Sequence, residues 1–155
     1  MICALLIGRE GSSGFPGKNL LNVLGRPLCT YPMIAAEEAT LVDRLYVSTD
    51  SKSIRDIARA RNAKVIDRPV ELACKEALGE DAYKHGFEVI SAELSGEGEE
   101  LEFLALLMCN SPTVNGQLID EGISMLRENG DADSAVTVST YNMWSPSRAR
   151  KRNKN

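Results

Sequence analysis

Short continuous apolar runs alternate along this chain with longer stretches in which apolar positions recur every three or four residues. Ile2-Cys3-Ala4-Leu5-Leu6-Ile7 carries no polar position, the pattern of a strand buried on both faces of a parallel sheet. Leu45-Tyr46-Val47 and Lys64-Val65-Ile66 read as two more strands. Phe103 to Cys109 is the most apolar run and is expected at the centre of the sheet, and Ser134 to Ser139 reads as a further strand. Helical spacing fills the intervals. A helix is expected from about Leu28 to Ala39, with Pro32 near its first turn, where proline is tolerated. A second carries Ile54, Ile57 and Ala58 behind Ser51, a good N-cap, and stops near Asn62. A third runs over Ala77–Ala92 with Tyr83, Phe87 and Ile90 on one apolar face and His85 at the surface. Asn115 caps a fourth, with Leu118, Ile119, Ile123 and Leu126 on its face and Gly130 as its stop. Strands alternating with helices predict an α/β fold, a Rossmann-like three-layer α/β/α arrangement with a mostly parallel sheet.

Length narrows this to one domain. With 155 residues the chain can bury a real core, and residues 1–147 form the expected domain. Residues 148–155, with five cations and only Ala149 apolar, are expected to be a disordered, solvated tail. A formal net charge of −4 gives no reason to expect nucleic acid or a membrane surface as partner. No apolar stretch is long enough to span a bilayer, and the first apolar run lacks the basic flank of a signal peptide. Cys3, Cys29, Cys74 and Cys109 show no CxxC spacing; three sit in apolar contexts as buried thiols, which fits a reducing cytoplasm. The glycine- and glutamate-rich stretch from Ser95 to Glu102 reads as an exposed acidic turn, its carboxylates solvated rather than gathered on a metal.

Candidate chemistry gathers in the loop after the first strand, Gly8-Arg9-Glu10-Gly11-Ser12-Ser13-Gly14-Phe15-Pro16-Gly17-Lys18-Asn19. Four glycines and a proline exclude a helix or strand there. A turn that exposes backbone N–H groups between two cations, at the carboxyl end of a parallel strand, suits phosphate. A solvated glycine-rich turn is the plain alternative. Two named motifs are excluded. A Walker A loop needs glycine where Ser12 stands and Ser or Thr where Asn19 stands. A Rossmann fingerprint needs a third glycine that Gly11 and Gly14 lack. The parallel sheet would bring Arg9, Lys18 and Asn19 to the same edge as Asp50, Arg68 and Asn110-Ser111, and Asp50 has its own plain reading as part of a helix-capping turn.

The longer pattern, Gly-Arg-x-Gly-Ser-x-Gly-x-Pro-x-Lys-Asn followed by Leu24-Gly25-Arg26-Pro27-Leu28, resembles the opening of the acylneuraminate cytidylyltransferases (CMP-sialic acid synthetases). Val47-Ser48-Thr49-Asp50, Asp67-Arg68-Pro69-x-Glu71-Leu72-Ala73 and Ser111-Pro112 match in order behind it. The resemblance implies a sheet of the nucleotide-diphospho-sugar transferase type, and transfer of CMP from CTP to a sialic-acid-like sugar acid with release of pyrophosphate. It implies Mg²⁺ as cofactor, a homodimer and a cytoplasmic enzyme. It places Gly8, Arg9, Gly11, Ser12, Ser13 and Lys18 on the phosphates, with Arg9 and Lys18 as catalytic cations. Asn19 and Arg68 would lie near cytosine, Asn110 and Ser111 near the nucleotide, and Asp50 is a weaker candidate.

Several positions depart from that pattern. Ser13 stands where a second basic residue is usual, Met108 where a base-contacting glutamine is usual, and Val114 where an arginine is usual. The acidic metal-holding residues of the family have no counterpart, and its dimerising segment lies beyond the matching region. A nucleotide-binding module without turnover, or a nucleotidyltransferase with another base or sugar, is the alternative. A P-loop kinase is disfavoured by the loop spacing.

Overall fold

The computed structural model describes residues 1–11, 15–74 and 76–138. Its centre is strand β1, Ile2–Ile7, paired in parallel with β4 (Arg44–Thr49) on one side and with β6 (Phe103–Met108) on the other. β5, Lys64–Asp67, extends the sheet beyond β4, giving the order β5-β4-β1-β6. Every residue from Ile2 to Leu6 is buried, as the unbroken apolar run demands.

Alternation within β1 builds two cores. Ile2, Ala4 and Leu6 face α1 (Thr30–Glu38), α2 (Lys52–Ala60) and α4 (Gly116–Glu128), packing with Met33, Ile54, Ala58, Ile119 and Ile123. Cys3 and Leu5 face α3, Gly79–Gly96, and pack with Tyr46, Ile90 and Leu94. The result is the expected three-layer α/β/α arrangement with a parallel sheet. Between β1 and α1 lies a small hairpin, β2 (Asn22–Val23) with β3 (Arg26–Pro27), turned through Leu24 and Gly25, both at positive φ.

The helices begin and end close to where their patterns place them, with instructive exceptions. The Asn115 side chain accepts the Leu118 N–H at 2.9 Å, the expected cap. Asn62 takes the left-handed conformation, φ 57°, that ends α2. Ser51 occupies the N-cap position but makes no capping bond; instead its own N–H donates to Thr49 Oγ1 at 3.0 Å. α3 runs past Ala92 to Gly96 because Ala82, Gly86, Ile90 and Leu94 form its buried stripe, and Leu94 lies in the last turn. Of the expected face, Ile90 is buried and Tyr83 packs half-buried against the same core, while Phe87 is 49% exposed; His85, expected at the surface, is half-buried. A Cβ at Gly86 would come within 2.4 Å of Leu5 Cδ2, so the helix lies against β1 where no side chain fits.

Two strand expectations are corrected. Among the described residues β6 stands at the edge of the sheet, not at its centre; Leu106 and Met108 are each 49% exposed. Its apolarity reflects packing on both faces, with Leu107, Phe103 and Ala105 in one core and Leu104 against the other. Residues 134–138 form no strand, and Val136 and Val138 are 78% and 90% exposed. β-propensity alone does not make a strand without a partner edge. Ser139 and the basic tail at residues 148–155 lie outside the described residues. All three cysteines expected to be buried are so, and Cys74 is exposed.

Candidate functional site

Parallel pairing sends the loops after β1, β4, β5 and β6 to one edge of the sheet, and there they enclose a cavity of about 250 Å³. The β1 loop contributes Gly8, Arg9, Gly11, Lys18 and Asn19. Arg68 enters from the end of β5, and Met108, Cys109 and Asn110 from the end of β6.

Glycine is demanded at two places. A Cβ on Gly8 would sit 2.1 Å from Cys109 Sγ, so only a bare backbone passes there; the Gly8 N–H bonds the Ser48 carbonyl at 3.2 Å. Gly17, at φ 72°, supplies the left-handed step that starts the short 3₁₀ turn Lys18–Leu20. That turn presents Lys18 on the cavity and buries Asn19, which is 8% exposed. Asn19 Nδ2 donates to the Arg9 carbonyl at 3.1 Å, while its Oδ1 is buried on the cavity wall with no donor among the described residues.

Arg68 is also 8% exposed. Its Nε donates to Ser48 Oγ at 3.2 Å and its Nη2 to the Ser48 carbonyl at 2.6 Å, so the guanidinium is fixed in place. Burial pushes its pKa below the ordinary arginine value, and the Asp50 charge opposes that shift. Arg9 is half-buried and donates through Nη1 to the Cys74 carbonyl, tying the β1 loop to the segment before α3.

Asp50 does not line the cavity; its Oδ1 accepts the Glu10 N–H at 3.0 Å and so anchors the loop. Ser111 lies off the cavity, in a turn where its N–H meets the Met108 carbonyl at 3.1 Å. Ser12 and Ser13 lie outside the described residues.

One wall was not read from the sequence. Leu72, Ala77, Leu78, Gly79 and Ala82 line the cavity around the start of α3. No side chain caps that helix; its N-cap is Leu78. A helix that begins without Ser, Thr, Asp or Asn leaves first-turn N–H groups free, and that missing cap is the signal that would have marked it.

The cavity's side chains offer cations and amides but no carboxylate. Among the described residues no three His, Cys, Asp or Glu side chains gather where they could hold a metal ion. The residues present do not fit a resident Mg²⁺, which takes one or two carboxylates beside phosphate oxygens and water.

Residues 3–150 match the family model described as cytidylyltransferase. The chain belongs to the cytidylyltransferase family. It is 28% identical over 141 residues to the N-acylneuraminate cytidylyltransferase of Escherichia coli O18:K1:H7 (strain RS218 / NMEC), covering 91% of this chain and 32% of that protein. It is 30% identical over 140 residues to the N-acylneuraminate cytidylyltransferase of Streptococcus agalactiae serotype III (strain NEM316), covering 89% of this chain and 32% of that one. The chain thus spans about a third of the length of these relatives. In fold it is similar to CMP:2-keto-3-deoxy-manno-octonic acid synthetase, solved in complex with CTP. The TM-score is 0.64 at 22% identity, over 83% of this chain and 48% of that one. A cytidylyltransferase from Leptospira borgpetersenii serovar Hardjo-bovis gives the same TM-score at 14% identity, over 83% of this chain and 49% of that one.

Proposed function

We propose that this cavity holds CTP and that the chain serves transfer of CMP to a sugar acid of the sialic acid kind, with release of pyrophosphate. The observation that carries the reading is a cation-lined cavity whose buried wall holds an acceptor, Asn19 Oδ1, with no donor among the described residues. An orphaned buried acceptor calls for a donor. The exocyclic amine of cytosine is one; uracil presents a carbonyl at the same position. Arg68, held by Ser48 and lining the same cavity, suits the base's carbonyl.

Arg9 and Lys18 then face the phosphates. In the reaction a sugar-acid hydroxyl attacks the α-phosphorus of CTP; a P–O bond forms to the sugar, the bond to the pyrophosphate oxygen breaks, and the hydroxyl proton leaves to solvent. Such a step depends on positioning and on charge stabilisation rather than on a protein nucleophile. Membership of the cytidylyltransferase family supports the reaction class, and the names of the relatives support the sugar acid.

Thermal unfolding with CTP, UTP, ATP and GTP in turn tests the reading. Ligand at about 100 times its dissociation constant adds about 2.7 kcal/mol, roughly 5–10 °C for a domain of this size. CTP is expected to give the largest shift. Equal shifts with UTP would overturn the base assignment, and no shift with any nucleotide would overturn the site. A second reading, a nucleotide-binding module without turnover, is favoured by Met108 on the cavity wall. Pyrophosphate release with CTP, Mg²⁺ and a sialic acid separates the two.

A further inference from the structure

We infer that the cavity takes the nucleotide's triphosphate as the metal-free anion, its charge met by the chain's own cations, and not as a magnesium chelate. The inference rests on the nucleotide-binding reading above and deepens it. Arg9, Lys18 and Arg68 line one cavity of about 250 Å³ with no carboxylate among them. Arg68 cannot swing aside, because two hydrogen bonds to Ser48 hold its guanidinium in a buried position. A cation arriving with the phosphates meets fixed positive charge, and the low-dielectric walls strengthen that repulsion.

Nothing in the wall compensates. Asp50 is off the cavity, with Oδ1 committed to the Glu10 N–H and its charge set against Arg68. Asn19 Oδ1 is a single neutral oxygen, short of the carboxylates that Mg²⁺ uses when a protein holds it. The residues outside the description add none: Ser12, Ser13, Gly14, Lys75 and residues 139–155 include no Asp or Glu. A metal-free triphosphate carries more negative charge than its chelate, and a cavity lined by three cations and no carboxylate favours the more negative form.

Isothermal titration of the chain with CTP and with inorganic tripolyphosphate, each in EDTA and again in excess Mg²⁺, tests this. CTP is expected to bind more than about threefold tighter in EDTA than in excess Mg²⁺, where the chelate predominates. Affinities within about threefold of each other in the two buffers, or tighter binding in Mg²⁺, overturn the inference and leave the nucleotide reading intact. Tripolyphosphate binding in EDTA as tightly as CTP overturns the base reading while the metal-free anion site stands. Binding of neither ligand in either buffer overturns both.

Discussion

The backbone N–H of Glu10 donates to Asp50 Oδ1 at 3.0 Å, so the turn after β4 holds the glycine-rich loop after β1. Forty positions separate the two residues, and the parallel pairing of β1 with β4 brings them together. Asp50 thus reaches the cavity only through the loop. Asp50→Ala is expected to cost about 0.5–1.5 kcal/mol of stability and to weaken CTP binding about tenfold. Asp50→Asn retains an acceptor oxygen and should keep most of the affinity. Melting temperature and calorimetric affinity, measured together, check this; full affinity in Asp50→Ala would remove Asp50 from the site.

Lys18 sits on the cavity at the start of a 3₁₀ turn and packs in neither core. Lys18→Ala should weaken CTP binding by about tenfold or more and leave the circular dichroism spectrum unchanged. An unaltered affinity would show that the triphosphate lies elsewhere.

Gly8 and Cys109 compete for the same space. Gly8→Ala places a methyl group 2.1 Å from the buried Cys109 Sγ and is expected to cost about 1–3 kcal/mol. Shortening the cysteine in Gly8→Ala/Cys109→Ala should recover part of that, giving a coupling energy of about 0.5–3 kcal/mol in a double-mutant cycle. Strict additivity in urea unfolding would contradict the contact.

Asp120 on α4 fastens the end of α1. Its carboxylate accepts the Thr40 N–H and hydroxyl at 2.8 Å each and the Leu41 N–H at 2.9 Å. Burial pushes this carboxyl up, and these hydrogen bonds together outweigh it and hold the group below the ordinary aspartate value of 3.8. A lowered folded value means stability that is fully present above pH 3.8 and is lost as pH falls through the folded value. Asp120→Asn should lower stability at pH 7 and flatten the loss on the acid side. Urea unfolding at pH 7 and at pH 3 measures both; parallel acid losses in the two proteins would refute the assignment.

The sequence by itself carried the layers of this fold and most of the cavity. Continuous apolar runs marked β1, β4 and β5, helical spacing marked four helices, and alternation of the two placed every strand-end loop on one edge. Gly8, Arg9, Gly11, Lys18, Asn19, Arg68 and Asn110 reach the cavity from that reading alone, because parallel pairing leaves their loops no other edge. Local pattern cannot report what covers an element from afar. β6 is as apolar as a central strand yet, among the described residues, pairs only with β1, since packing on both faces selects the same residues as pairing on both edges. Phe87 misses the core because Gly86 brings the backbone of α3 against Leu5, a contact between residues far apart in sequence. Tertiary structure alone decided that Asp50 serves the loop, that Ser48 fixes Arg68, and that the uncapped start of α3 closes the cavity. Each depends on a distance between segments, and distance between segments is set by packing rather than by the residues at either end.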